Sequence, residues 1–369
     1  MAFQPPQLAL LIVLVTVLIV SHIYLFYYDL PKDGQDCHNC RRDSAVNLGK
    51  GRFLVDSPDR AKAAIVILAR NTDIHDLQKT IPMFEERFNK KFGYPYVFLN
   101  DKPFSDKFKE AMRKLGDADM HFGQVPVEHW SYPSWIDQNK AERVREEMKA
   151  RRVMYGDSLS YRHMCRYNSG FFFRHPLLDS YEYYWRVEPG VEFYCDIDYD
   201  PFIYMKNHKK EYGFVIMVPE YIETIPTLWS TMKKFIEKNP QYVHEKNVLK
   251  MFTNTEGNYN LCHFWSNFEI GSLNFYRSEG YLKFFEYLDK SGGFFYERWG
   301  DAPVHSLAAA MLLPKEKIHY FEDIGYYHPP YYNCPLNPAL LLRCTCDPKK
   351  SEVINNNCFY RYLELFREQ

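Results

Sequence analysis

Short apolar runs alternate with amphipathic stretches along the chain after residue 60. Residues 63–69 form a continuous apolar run, the pattern of a strand that is covered on both faces. An amphipathic helix to about Asn89, a strand over residues 96–101 and a helix over about 105–115 follow it. Because a βαβα order is the signature of a parallel sheet, the pattern predicts an α/β domain.

The later part of the chain continues this pattern. Strands are predicted over residues 212–218 and 318–321, and an amphipathic helix over 225–238. Residues 139–154 are rich in Lys, Arg and Glu of mixed sign at helical spacing, which is typical of a solvated helix with weak ion pairs. These elements extend the α/β reading over most of the chain.

An aromatic, β-branched run over residues 183–187 stops abruptly at Glu188-Pro189-Gly190. Proline cannot continue a strand ladder, so Glu188 is expected at the carboxyl end of a strand. In open α/β sheets ligands bind at that edge. A carboxylate there can hold Mg²⁺ or Mn²⁺, which in turn can hold a diphosphate. Five acids lie between residues 188 and 200, and most of them are read as turn carboxylates at the surface.

The start of the chain predicts a membrane anchor. Residues 8–28 are almost purely apolar, about the length that spans a bilayer, with tyrosines at the far end where an aromatic belt belongs. The run ends without the small residues of a signal-peptide cleavage site, which favours an uncleaved signal anchor. We therefore predict a cytoplasmic tail at 1–7, a transmembrane segment at 8–28, a polar stem at 29–59 and a luminal domain at 60–369.

Composition adds a compartment and excludes one class of partner. Apolar residues make up 46% of the chain, which is ample for a large core, and the net charge of −1 argues against a nucleic-acid partner. Four of the nine cysteines, at positions 334, 344, 346 and 358, are crowded near the end. They predict a disulfide cluster formed in an oxidising compartment, with the pairing left open and at least one cysteine left over from intrachain pairs.

Other side chains with candidate chemistry follow predicted strands or begin helices. Arg70, after the first strand, is placed to meet a nucleotide phosphate or base, or is a surface arginine. Tyr161 and Arg162 lie near a helix start that can face the cleft of Glu188. Arg162 or Arg166 could pair with a phosphate or carboxylate, although structural pairing is the commoner role for such arginines.

Three further candidates lie in the second half of the chain. Glu269 stands among apolar and aromatic residues, where a carboxylate is costly unless it is hydrogen-bonded, bound to metal or used chemically. Asp301, two residues before Pro303, is expected to cap a helix and to be able to face substrate as well. His328 follows a predicted strand and precedes two prolines, a position suited to a metal ligand or phosphate donor.

Several long motifs resemble those of one known family. They are Tyr-Tyr-Trp-Arg-Val-Glu-Pro (183–189), Phe-Tyr-Cys-Asp-Ile-Asp-Tyr-Asp-Pro-Phe (193–202), Phe-Trp-Ser-Asn-Phe-Glu-Ile (264–270), Gly-Asp-Ala-Pro-Val-His-Ser (300–306) and Gly-Tyr-Tyr-His-Pro-Pro (325–330). In these residues the chain is similar to the fungal Golgi α-1,2-mannosyltransferases, glycosyltransferase family 15, from about Ala64 to Cys346.

The resemblance implies a type II Golgi membrane enzyme with a GT-A-like fold, a mixed, mostly parallel sheet flanked by helices. Its activity would be transfer of mannose from GDP-mannose to a mannose hydroxyl of N-linked, O-linked or lipid-linked glycans. The linkage would be α-1,2, the α configuration would be retained, and Mn²⁺ would be the cofactor. Catalysis would then occur in the luminal domain.

The resemblance also assigns residues by matching motif positions. Glu188 and His328 match the metal ligands, since Glu-Pro-x replaces the usual Asp-x-Asp motif; Asp196 and Asp198 resemble that motif but are not the first choice. Glu269 matches the carboxylate that acts as nucleophile or stabilises the transition state. The positions matching substrate contacts are Tyr161 on the acceptor side, Arg70 and Tyr155 on the nucleotide side, and Asp301 at a sugar hydroxyl.

Two alternatives stay open at this point. The chain could be a catalytically silent sugar-binding subunit of a Golgi glycosyltransferase complex, which the intact set of Glu188, Glu269 and His328 argues against. It could also use another donor, such as a UDP-sugar, with the same metal site. For a retaining enzyme, the sequence does not choose between double displacement through Glu269 and same-face attack by the acceptor.

Overall fold

The computed structural model describes residues 60–354 and 356–367. The predicted tail, transmembrane segment and stem therefore lie outside the described residues. Among the described helices, none combines the length and the apolar character needed to cross a bilayer.

Strands and helices alternate up to β3, as the sequence predicts, whereas several later strands follow one another without a helix between them. The strands are β1 (Ala63–Leu68), β2 (Tyr96–Asn100), β3 (Met120–Gln124), β4 (Tyr183–Arg186), β5 (Glu192–Phe193), β6 (Tyr212–Phe214), β7 (Met217–Pro219), β8 (Cys262–Phe264), β9 (Glu269–Ser272), β10 (Ile318–Tyr320), β11 (Tyr326–His328) and β12 (Tyr331–Asn333). The α-helices are α1 (Ile74–Phe84), α2 (Asp106–Arg113), α3 (Gln138–Ala150), α4 (Leu159–Gly170), α5 (Pro201–Asn207), α6 (Leu228–Lys238), α7 (Leu273–Arg277), α8 (Glu279–Ser291), α9 (Gly293–Tyr296), α10 (Asp301–Leu312), α11 (Pro338–Leu341) and α12 (Asn357–Arg367). Helix α1 continues through a π-helical turn, Glu85–Asn89, into a last turn at Lys90–Phe92.

Seven strands form the main sheet, in the order β10-β6-β9-β4-β1-β2-β3. All neighbours run parallel except β9, which is antiparallel to both β4 and β6. The predicted mixed, mostly parallel sheet is thus confirmed. Alternate residues of β1 face two different apolar clusters, Ala64 and Val66 on one side and Ile65 and Ile67 on the other. The continuous apolar run at this strand therefore reflects burial on both faces.

The predicted strand over residues 212–218 is two strands in the structure. Strand β6 pairs with β9 and β10 in the main sheet, whereas β7 leaves it and pairs with β8 in a separate two-stranded sheet. The apolar run continues across the break, and all seven residues are buried. Hydrophobicity reports burial and not the partner strand, which is why the sequence pattern did not show the break.

A small antiparallel sheet, β12-β11-β5, lies next to the turn that follows β4. Gly190 in this turn has φ +86°, a left-handed conformation that glycine adopts without steric penalty. The turn brings β5 alongside β11, with Glu192 opposite Tyr327. As a result, His328 at the end of β11 lies near the Glu188 turn although 140 residues separate them in sequence.

Among the described residues, three disulfides involve the end of the chain, and two of them join it to distant segments of the domain. They join Cys195 to Cys344, Cys262 to Cys358 and Cys334 to Cys346, and Cys165 is a buried free cysteine. The predicted cluster is confirmed, and two of its members pair with cysteines far away in sequence. The Cys262–Cys358 bond fastens the start of α12 to β8.

We expect the loss of the Cys262–Cys358 bond to destabilise the domain more than the loss of Cys334–Cys346. The two bonds span 96 and 12 residues. In the loop-entropy account the first contributes about 2 kcal/mol more, on a typical total of about 2–5 kcal/mol. Denaturant unfolding of the two double-alanine variants measures the difference. Equal losses would contradict the loop-entropy account here.

Candidate active site

Strands β1, β2 and β4 end at the same edge of the main sheet, and a cleft opens there. The widest part encloses about 990 Å³ and is lined by residues that include Tyr155, Tyr161, Glu188, Asp301 and His328. A neighbouring space of about 620 Å³ contains Arg70, and a third of about 370 Å³ contains Glu269. Arg186 and Glu188 line all three. The residues that the family resemblance assigns to the site therefore all lie around one sheet edge.

Glu188 and His328 face one another at the centre of this edge. Their atoms Oε2 and Nε2 lie 3.3 Å apart. The other ring nitrogen of His328, Nδ1, lies 2.9 Å from the carbonyl oxygen of Pro329 and donates to it. With Nδ1–H donated to a backbone carbonyl, Nε2 is the nitrogen that would bind a metal, as in many metal-binding histidines.

This pair fits a divalent cation. Two ligand atoms about 3 Å apart match neighbouring positions around an octahedral ion with bonds of about 2.1 Å. A carboxylate and an imidazole together suit Mn²⁺, which accepts oxygen and nitrogen ligands. Asn267 also donates to Glu188 Oε2, at 2.8 Å, and holds the carboxylate in place. Burial alone would raise the pKa of Glu188, but Arg186 and His328 lower it to about 2, so the carboxylate is ionised.

Arg186 bridges two carboxylates of the cleft. Its Nε donates to Glu188 Oε1 at 2.9 Å, and its Nη1 donates to Asp301 Oδ2 at 2.5 Å. Ser266 donates to the same Asp301 oxygen at 2.8 Å. Asp301 is the first residue of α10, and its carboxylate makes no capping bond there, because Gly300 holds the N-cap position. The predicted cap is wrong, and Asp301 instead lines the cleft beside Arg186.

Glu269 lies on β9 and is only 1% exposed. The hydroxyls of Tyr184 and Tyr212 donate to its Oε2 and Oε1, at 2.8 and 2.5 Å. Its Oε1 also lies 2.8 Å from Nδ1 of His305. This buried carboxylate is therefore fully hydrogen-bonded, which removes the desolvation problem that its sequence context posed.

Tyr155 and Tyr161 form a stacked pair on one wall of the cleft, with ring centroids 4.4 Å apart. Tyr155 is 55% exposed. The guanidinium carbon of Arg298 lies 5.2 Å from the centroid of the Tyr161 ring. Arg70 is exposed, and its Nη2 lies 3.3 Å from Ser160 Oγ. The proposed acceptor and nucleotide contacts thus lie side by side, and their assignment stays a prediction.

Arg162 and Arg166 do not reach the cleft. Arg162 is fully buried and donates to the backbone carbonyls of Glu297 and Ser158. Arg166 makes a bidentate ion pair with Asp289, at 2.7 and 2.8 Å. The proposed phosphate pairing is wrong for both, and the structural alternative holds because each guanidinium finds buried partners within the domain.

Breaking the Arg166–Asp289 pair should affect stability and not substrate binding. Asp289→Asn is expected to lower the free energy of unfolding by about 3–5 kcal/mol, because it leaves the Arg166 guanidinium buried without its counter-ion. Glu182→Gln is the control, since it breaks an exposed pair with Lys62 and should cost less than about 1 kcal/mol. Denaturant unfolding gives both values. A shift in KM without a loss of stability would contradict the structural role.

The acids after the Glu188 turn have structural partners. Asp196 pairs with Arg87 at 2.6 Å and Asp198 with Lys91 at 2.9 Å. Asp200 caps α5 by accepting from Phe202 and Ile203. Asp196 and Asp198 thus have ion-pair partners in the structure, and the preference for Glu188 as the metal ligand stays a prediction.

Two side chains that contact predicted site residues were not singled out from the sequence: Arg186 and His305. Both lie inside the quoted motifs. Arg186 stands between buried Trp185 and Val187, and an arginine in a buried strand needs an acidic partner, which is a signal that could have been used. His305 lies on an almost wholly buried helix and gave no such signal.

Comparison with known proteins identifies the family. The family described as Glycolipid 2-alpha-mannosyltransferase matches residues 35–367. Glycolipid 2-alpha-mannosyltransferase 1 of Candida albicans is 59% identical over 311 residues, which are 83% of this chain and 72% of the relative. The predicted membership of glycosyltransferase family 15 is confirmed.

Solved structures agree in fold. Core-mannan synthase A from Aspergillus fumigatus, in its Mn/GDP form, is 43% identical, with 82% of each chain covered and a TM-score of 0.76. The mannosyltransferase Ktr4p of Saccharomyces cerevisiae in complex with GDP is 41% identical, with 83% of this chain and 82% of that chain covered and a TM-score of 0.79. By profile, sequence and fold, the chain belongs to the glycolipid 2-alpha-mannosyltransferase family.

Proposed function

We propose that the protein is a Mn²⁺-dependent, retaining mannosyltransferase that transfers mannose from GDP-mannose to a mannose hydroxyl in α-1,2 linkage. The observation that carries this proposal is the Glu188–His328 pair, which stands with Nε2 and Oε2 3.3 Å apart at the ligand-binding edge of the sheet. The names of the relatives support the reaction, and the Mn/GDP form of a similar structure supports the donor and the metal.

Glu188 and His328 would hold Mn²⁺, which when bound neutralises the diphosphate leaving group. Arg186 keeps Glu188 ionised and in position. Its second ion pair, to Asp301, fixes that carboxylate on the cleft wall, where it can accept a sugar hydroxyl. Arg70 serves the nucleotide from the neighbouring space. These residues bind and orient the donor before any bond breaks.

Glu269 is the carboxylate that acts on the anomeric carbon of the donor mannose. It lines one cavity together with Glu188 and Arg186, so it shares the reaction space with the metal site. A fixed carboxylate there stabilises the positive charge that develops on the anomeric carbon as GDP leaves. Tyr161 contacts the acceptor sugar in the wide part of the cleft, and Tyr155, stacked on it, lies on the nucleotide side. The acceptor is a mannose-terminated glycan of N-linked, O-linked or lipid-linked type.

We further propose that residues 8–28 anchor the protein in the Golgi membrane with residues 60–369 in the lumen. The apolar run supports the anchor, and three disulfides support an oxidising compartment. Protease treatment of sealed vesicles that contain the full chain with a carboxyl-terminal tag is the test. We expect the tag to survive until detergent is added, and its digestion in intact vesicles would contradict the orientation.

The reaction is tested with the full-length chain, GDP-mannose and α-methyl mannoside, with and without Mn²⁺. We expect Mn²⁺-dependent release of GDP and an α-1,2-linked dimannoside, identified by NMR. Turnover with a UDP-sugar alone would overturn the donor. Binding of GDP by a folded protein without turnover on any mannoside would instead support the silent sugar-binding subunit.

A further inference from the structure

His305 contacts Glu269 and has no role in the proposed function as stated so far. It is the fifth residue of α10 and is fully buried. Its Nδ1 lies 2.8 Å from Glu269 Oε1, and its Nε2 lies 3.0 Å from the carbonyl oxygen of Asn168 on α4. Each ring nitrogen therefore faces an oxygen that accepts hydrogen bonds.

The protons of this arrangement can be counted. A backbone carbonyl only accepts, so Nε2 must carry a hydrogen. A neutral imidazole has one N–H, which would leave a lone pair on Nδ1 facing the carboxylate at 2.8 Å. A second proton between Nδ1 and Oε1 removes that repulsion. The His305–Glu269 pair thus holds one proton more than a neutral histidine and a carboxylate anion together.

The tyrosines indicate which partner carries this proton. Burial raises the pKa of both Tyr184 and Tyr212 well above the usual range. Their hydroxyls are therefore protonated donors, and both donate to Glu269. Donors that converge on a carboxyl group favour its ionised form. With Glu269 ionised, the extra proton belongs to the imidazole.

We infer that His305 is a positioning residue, a buried imidazolium that pairs with the Glu269 carboxylate and fixes its orientation for mannosyl transfer. This role in transfer rests on the proposed function. Burial would lower the pKa of His305, but the negative charge of Glu269 outweighs it and raises that pKa. The proton stays within the pair, so His305 neither gives nor takes a proton during the reaction.

The titratable and charged groups around the ring come from several elements. They are Glu269 on β9, Tyr184 and Arg186 on β4, Tyr212 on β6, Tyr276 on α7, Tyr281 on α8 and Asp301 on α10. Arg186 opposes a positive ring, whereas Glu269 and Asp301 favour it. Glu269 is in direct contact and therefore dominates.

The protonation state is measured without any turnover. Imidazole ¹⁵N shifts of the full-length chain are followed from pH 5.5 to 9, and the His305 signals are assigned by their loss in His305→Gln. We expect both nitrogens of His305 to stay protonated at pH values above the ordinary imidazole pKa of about 6.5. A neutral His305 ring at pH 7 would overturn the inference even in a fully active enzyme.

His175 is the matched control. It is also buried, but its Nδ1 accepts from the Leu177 amide at 3.2 Å and its Nε2 faces the carbonyl oxygen of Gln124 at 3.3 Å. One N–H satisfies both contacts, and burial, the main influence, lowers the pKa of His175. Its ring should therefore be neutral at pH 7, so the two histidines are expected to give opposite shifts in one spectrum.

Kinetics test the role in transfer. His305→Gln should lower kcat about 10-fold or more, because a misplaced carboxylate loses its alignment, with less than about 2-fold change in the KM for GDP-mannose. The fall of kcat at high pH, where the wild-type pair loses its proton, should be absent from the variant. His175→Gln should leave kcat and the pH profile unchanged. An unchanged kcat and pH profile in a folded His305→Gln protein would overturn the positioning role.

Wild-type protein without turnover would overturn the proposed function, while the NMR result would still report the protonation state.

The pH dependence of stability should also reflect the proton held by the His305–Glu269 pair. Because the folded pKa of His305 is raised, its contribution to stability is fully present below the unfolded value of about 6.5 and is lost as pH rises through the folded pKa. The difference in denaturation midpoint between wild type and His305→Gln should therefore shrink as the pH rises above about 7. A difference that grows with pH would contradict the buried imidazolium.

Discussion

Replacing Glu188 with glutamine is expected to lower kcat/KM for GDP-mannose at least about 100-fold and to weaken activation by Mn²⁺. The amide cannot supply the anionic oxygen that now faces His328 Nε2 at 3.3 Å. A metal that neutralises a leaving group contributes several kcal/mol to the transition state, and each 1.4 kcal/mol is about tenfold in rate. Initial rates over a Mn²⁺ titration measure both effects.

Glu192→Gln is the matched control for this change. Glu192 is four residues further along the same segment and is half-buried, and among the described residues its carboxylate accepts one side-chain hydrogen bond, from Tyr194. Its loss should leave the Mn²⁺ titration unchanged. If Glu188→Gln retained the wild-type Mn²⁺ dependence, Glu188 would not be a metal ligand.

Replacing Glu269 with glutamine is expected to lower kcat about 1000-fold while GDP binding stays within about 2-fold of wild type. Loss of a charge that stabilises the anomeric carbon in the transition state corresponds to about 4 kcal/mol. The amide would also direct N–H groups towards the three donors around the site, from Tyr184, Tyr212 and His305. The unfolding free energy should therefore fall by about 1–3 kcal/mol as well.

Glu85→Gln separates these two effects. Glu85 is another buried glutamate that accepts from a tyrosine, Tyr96, and it lies among residues of α1 and its π-helical turn, away from the cleft. The Glu85→Gln variant should be less stable than wild type, with no change in kcat for the fraction of protein that remains folded. Single-turnover rates, corrected for the folded fraction, make the comparison. Equal losses of kcat in the two variants would contradict a catalytic Glu269.

The fold was predictable where one local signal decides it. The apolar run of β1 could only be a doubly covered strand, and Pro189 could only end β4 near Glu188. The boundary between β6 and β7 was not predictable, because the partner strands are chosen by packing of distant segments. The disulfide pairing was not predictable for the same reason, since Cys195 and Cys262 are far in sequence from their partners.

The site was predictable to a similar depth. The end of β4 pointed to Glu188 on physical grounds, whereas the role of Tyr155 came from the family resemblance alone. Asp301 has the residue type and position of a helix cap, but the buried Arg186 guanidinium provides a stronger, charge-assisted partner. Because 115 residues separate that pair, no local pattern could show it. His305 required the coordinates of both its nitrogens.

The central claim is that Glu188 and His328 together hold the Mn²⁺ that binds the diphosphate. Anomalous diffraction at the manganese edge, from crystals of the protein grown with Mn²⁺ and GDP, tests it most directly. We expect one peak within bonding distance of Glu188 Oε2, His328 Nε2 and the GDP phosphates. A peak at Asp196 and Asp198, or GDP bound with no manganese at Glu188, would contradict it.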